Sequence, residues 1–158
     1  MLVGVTEIAV ALAGFSGIVV ALGRGTSGKW LPGDRLRLRF LLEASLTAGS
    51  FSLLALVLYS SMGNSGHAWG VTSGLWAVYM VISLYRSHLN VQEDLVRHGD
   101  VDKTANRIVL GFFSILIVLQ LVNMVLWLHF APLLAALVLN LAGAAMQFAR
   151  LIRSAFQG

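Results

Sequence analysis

Long apolar runs alternate with short polar stretches along this chain. Runs at 2–23, 40–59, 68–85, 108–128 and 132–152 are each close to the roughly 20 residues that a helix needs to cross a bilayer. The polar stretches between them are RGTSGKWLPGDRLRLR at 24–39, SSMGNSGH at 60–67 and RSHLNVQEDLVRHGDVDKTANR at 86–107. The apolar stretch from 108 to 152 is too long for one span. The HFAP sequence at 129–132 divides it, because proline ends one helix and is tolerated in the first turn of the next. The pattern predicts an all-α fold, a polytopic membrane helix bundle of five transmembrane helices forming a single domain over 1–158.

Composition agrees with that reading. Of 158 residues, 58% are hydrophobic and 11% charged, against about 25% charged in an average soluble domain. Mean hydropathy is +0.82. The first run is too long for the apolar core of a cleavable signal and lacks a basic leader, so it reads as a span. There is no cysteine, which removes disulfides, thiolate metal sites and cysteine nucleophiles.

The net charge of +4 is explained by where the cations fall rather than by nucleic-acid binding. Five of the eleven Lys and Arg lie in 24–39, four in 86–107 and two, Arg150 and Arg153, at the C-terminus. The stretches at 60–67 and 128–132 have none. With five spans all the cations share one side, which by the positive-inside rule places the N-terminus outside and the C-terminus in the cytoplasm. Arg35, Arg37, Arg39, Arg150 and Arg153 then read as anchors at the inner membrane interface. Tyr59, Trp69 and Trp127 mark the outer boundary, and Trp30 and Tyr85 the inner one. The first half of 86–107 extends the third helix into the cytoplasm. Asp94 and His98, four apart there, read as a solvated helix face rather than a metal pair.

Glu7 is the anomaly. It interrupts an apolar run roughly 8 Å from the outer end of the first helix at about 1.5 Å per residue. A carboxylate at that depth must be neutralised, paired or used. The cations are all assigned to the other side, which leaves the terminal amine, His67 and His129 as partners. Other polar residues share its outer depth: Thr72, Ser73, Gln120, Asn123 and Asn140. At about 100° per residue they lie on faces with small or polar neighbours. Gly4, Glu7, Gly14 and Gly17 share one arc of the first helix, and Asn140 and Gly143 one face of the fifth. Glu43, Thr47 and Ser50 lie on one face of the second, beside Arg39. Small residues such as Gly4, Gly14, Gly17 and Gly143 permit close helix approach, and polar ones bond across the contact.

No catalytic constellation is legible. The glycines form neither a phosphate loop nor a dinucleotide fingerprint. The four His, at 67, 88, 98 and 129, do not share a helix at metal-ligand spacing. A small outward site of Glu7, His67 and His129 is the one such grouping that the topology allows. The sequence therefore predicts no enzyme, no cofactor and no bound metal. The expected partners are the lipid bilayer, further copies of the chain and a protein docking on 86–107. Two functions fit. One is a homo-oligomeric channel-like protein for cations or protons, its pathway using Glu7 and Glu43 with Thr47, Ser50, Gln120, Asn123 and Asn140. The other is a non-conducting structural or regulatory membrane subunit. Absence of cysteine and small size suit a bacterial inner membrane.

Overall fold

The computed structural model describes the backbone of residues 1–26, 34–63, 65–98 and 103–157, and the side chains of 1–18, 37–63, 65–86 and 110–153. Among the described residues all regular structure is helical. Helix α1 spans Leu2–Thr26, α2 Asp34–Ser61, α3 His67–His98, α4 Lys103–Val122 and α5 Phe130–Gln157. A π-helical turn, Asn123–Trp127, closes the end of α4. Four segments are long and apolar enough to cross a membrane: Arg37–Ser61, His67–Arg86, Leu110–Trp127 and Phe130–Arg153. These are the spans of a multi-pass membrane protein. Within the described side chains the apolar part of α1 covers Leu2–Ile18.

The predicted break at 129–132 is real and tight. Helix α5 begins at Phe130, so Pro132 sits in its first turn, where a missing N–H costs nothing. Helix α3 continues past the apolar run to His98, as the polar sequence after 85 suggests.

Helices form two compact units, Met1–Val57 with Leu134–Gly158, and Leu58–Leu133. In the first unit α1 buries Leu2, Val5, Ala9 and Ser16. Leu41, Ser45, Ala48, Ser52 and Ala55 form a fully buried seam on α2. Their alternating steps of four and three keep one helix face inward. Most of that seam is small, which lets backbones approach. A Cβ placed on Gly49 of α2 would lie 3.3 Å from that of Ala9 on α1. Helix α5 contributes Ala136, Leu137, Asn140, Leu141 and Ala144 at the same spacing. Phe15 and Phe148 meet with ring centroids 6.5 Å apart.

In the second unit α3 packs against α4 and the π-helical turn. The contact is closest along three glycines. A Cβ on Gly66 would stand 2.9 Å from the Leu128 carbonyl oxygen, and one on Gly74 2.6 Å from Met124 Sδ. One on Gly70 would stand 2.5 Å from Leu128 Cδ2 and 3.1 Å from the Met124 carbonyl oxygen. Tyr59 stacks on Trp69 at 4.5 Å, and Trp69 tilts against Phe130 at 5.1 Å. An aromatic cluster therefore gathers where α2, α3 and α5 meet their turns.

Candidate functional site

Glu7 is exposed on α1. It lines an open groove of about 440 Å³ whose other walls are Val3, Thr6, Val10, Ala11, Leu53 and Leu56. Thr6 turns its hydroxyl away, donating to the Leu2 carbonyl oxygen at 3.1 Å. Among the described residues the Glu7 carboxylate has no hydrogen bond or ion pair. It is thus a lone acidic group on an apolar wall. Gly14 and Gly17 are exposed beside it, and Gly4 is half-buried. A Cβ at Gly4, Gly14, Gly17 or Gly143 would meet no described atom within 4 Å. Among the described residues these glycines are open face rather than contact.

The other acidic candidate differs. Glu43 and Arg37 are half-buried, and both, like Thr47, are engaged in an interaction. Thr47 is buried and Ser50 exposed. Arg39, Arg150 and Arg153 are exposed. Arg35, Trp30, His88, Asp94, His98 and the stretch after Arg86 that was expected to dock a protein lie outside the described side chains.

The three amides are buried and bonded to protein. Asn140 donates to the Ala44 carbonyl oxygen at 3.3 Å, joining α5 to α2. Asn123 organises the π-helical turn. Its Nδ2 donates to Ser73 Oγ at 2.8 Å and to the His129 carbonyl oxygen at 2.9 Å. Its Oδ1 accepts from the His129 backbone N–H at 3.0 Å. One side chain thereby pairs both backbone groups of the residue that reverses the chain, and ties that reversal to α3. Gln120 repeats the device one turn inward, its Nε2 donating to the Pro132 carbonyl oxygen at 2.8 Å.

The turn carries strain that these bonds help hold. Leu128 has φ 51° and ψ 35°, a left-handed conformation that costs a residue with a Cβ about 1–2 kcal/mol. Its N–H bonds the Asn123 carbonyl oxygen at 2.9 Å, five residues back, and its side chain lies against Gly70. Gly66, Gly70 and Gly74 were absent from the glycines expected to pack. Their spacing of four is a small-xxx-small pattern, which is the sequence signal for such a contact.

His67 and His129 are exposed. Among the described residues no three His, Cys, Asp or Glu side chains are grouped to hold a metal ion. No protein-family model, curated protein or solved structure matches the chain.

Proposed function

We propose that the chain crosses a bacterial inner membrane five times, N-terminus outside and C-terminus in the cytoplasm, as a homo-oligomeric cation- or proton-conducting protein. The observation that carries this reading is Glu7, an exposed carboxylate without a partner among the described residues on a helix wall that is otherwise apolar. Hydrocarbon does not solvate a carboxylate. Water or another protein surface must therefore cover this side of α1, and the open space at Gly4, Gly14 and Gly17 leaves room for a close neighbour. Symmetric copies meeting along α1 set Glu7 in an acidic ring, the arrangement that draws cations into a pore. Helix α1 has 25 residues, about 37 Å at 1.5 Å per residue, enough to cross a hydrocarbon core of about 30 Å.

A second reading rests on the amides. Gln120, Asn123 and Asn140 are buried and bond backbone carbonyls, which is how helix-packing residues behave. Polar residues used for packing favour a non-conducting subunit that docks partners through its cytoplasmic loops. Ion flux into liposomes separates the readings, comparing wild type with Glu7→Gln for H⁺, Na⁺, K⁺ and Cl⁻. Cation flux that falls or changes selectivity in the variant supports the pathway. Absence of flux from folded wild-type protein under pH and voltage gradients supports the subunit. Flux unaltered by the substitution keeps conduction and removes Glu7 from its path.

A further inference from the structure

The groove beside Glu7 is built by two helices of one unit. Val3, Val10 and Ala11 of α1 and Leu53 and Leu56 of α2 form its apolar walls, and its volume is about 440 Å³. Clefts that take small organic ligands run from roughly 300 to 1,000 Å³. Among the described residues its polar side chains are Thr6 and Glu7. The Thr6 hydroxyl donates to the Leu2 carbonyl oxygen, so its proton is committed within the helix.

That leaves one carboxylate to recognise a ligand. Its charge asks for a cation, and its surroundings say which kind. A calcium ion takes about six to eight oxygens, and magnesium a near-octahedral set. One carboxylate falls far short of either. A metal ion would keep most of its hydration water here, and the valine and leucine walls give that water nothing to bond. A cation that carries its own apolar surface needs no further oxygens, and the same walls stabilise it by taking that surface out of water.

Position narrows the class again. Val3 and Ala11 stand about 6 Å to either side of Glu7 along the helix, at about 1.5 Å per residue. Apolar wall therefore extends both ways from the carboxylate. The matching ligand has its charge at its centre, with apolar groups on opposite sides, rather than at the end of one tail. A second copy of α1 laid on this face brings another Glu7, which adds to the negative charge instead of matching it.

We propose that this groove binds a monovalent organic cation of the tetraalkylammonium type. Its charge centre lies against the Glu7 carboxylate and its alkyl groups against the walls of α1 and α2. The site is complete within one chain. It rests on the reading that the chain itself leaves Glu7 without a partner, which the conduction proposal shares, and not on a pore.

Isothermal titration calorimetry on the whole chain in nonionic detergent micelles tests it, with micelles alone as the blank. Tetrabutylammonium is expected to bind saturably. Tetramethylammonium has the same charge and little apolar surface, and hexyltrimethylammonium has its apolar surface on one side; each should bind at least about tenfold more weakly. Glu7→Gln should weaken tetrabutylammonium binding at least about tenfold. Ala11→Trp keeps the carboxylate, fills the groove and should abolish binding. Absence of saturable binding to folded wild type overturns the proposal, as does binding that Glu7→Gln leaves unchanged. Equal affinity for tetramethylammonium reduces the site to a bare charge, and equal affinity for hexyltrimethylammonium gives the groove to a single-tailed amphiphile; either overturns it. Wild-type protein alone decides most of these outcomes, so a variant that fails to fold does not protect the proposal. Ion flux is a separate readout. Binding without flux supports the site and removes the pore, whereas flux without binding keeps the pore and removes the site.

Discussion

Replacing Asn123 with leucine removes three hydrogen bonds at once while nearly conserving volume. Two are donated by Nδ2, to Ser73 Oγ and the His129 carbonyl oxygen, and one is accepted from the His129 N–H. Side-chain hydrogen bonds inside membrane proteins average about 0.6 kcal/mol each, so their sum is about 2 kcal/mol. A backbone group left buried and unpaired adds about 1–3 kcal/mol. His129 is exposed, so water can reach the released groups and that addition stays near its lower end. The expected loss is therefore about 2–3 kcal/mol. Asn123→Asp keeps the acceptor for the His129 N–H but loses both donated bonds and buries a carboxylate against the His129 carbonyl oxygen, so its loss should be at least as large. Reversible unfolding in mixed micelles measures the difference, and amide exchange at His129 reports on the turn itself. A loss below about 0.5 kcal/mol for Asn123→Leu, with His129 exchange unchanged, would refute the role given to this side chain.

Glycine substitutions should divide sharply. Gly66→Ala drives a methyl to 2.9 Å from a backbone carbonyl oxygen that has little freedom to yield; a loss of about 1–3 kcal/mol by unfolding titration is expected. Gly14→Ala meets no described atom and should be neutral or stabilise by up to about 1 kcal/mol through helix propensity. Gly14→Leu and Gly17→Leu should reduce the proposed homo-oligomer to protomers in light scattering while circular dichroism keeps its helix content; an oligomer that stays intact would remove α1 as the interface. Asn140→Leu forfeits one long bond of 3.3 Å and should cost no more than about 1 kcal/mol.

Helix number was readable because lipid leaves helices as the only spanning element for chains of this kind, and apolar length then marks each one. Pro132 gave the last boundary for a local reason, its missing N–H. Facing directions were harder. Spacing alone put Gly4, Gly14 and Gly17 on one arc, but an arc does not say whether its neighbour belongs to the same chain. Gly66, Gly70 and Gly74 carry a comparable pattern and do face one, because the short turn after α2 and the reversal at Leu128–His129 bring α3 and α4 into register. Asn123 was expected in a polar layer. The π-helical turn that uses it depends on a left-handed Leu128, and nothing in a leucine's identity announces that conformation. Glu7 stood out in the sequence for the same reason that it stands out in the structure: charge among apolar residues has few ways to be satisfied.

The reversal between α4 and α5 also bears on how the protein is made. Gln120 is bonded to Pro132, and Asn123 to His129, so both buried amides near the tip bond backbone only 12 and 6 positions away. The tip at 128–132 has no Lys, Arg, Asp or Glu to drag through hydrocarbon. The remaining bond of Asn123, to Ser73, reaches back to a helix that is already made. The reversal can therefore close as soon as the chain has been made as far as Pro132, with its register set before the rest of α5 exists.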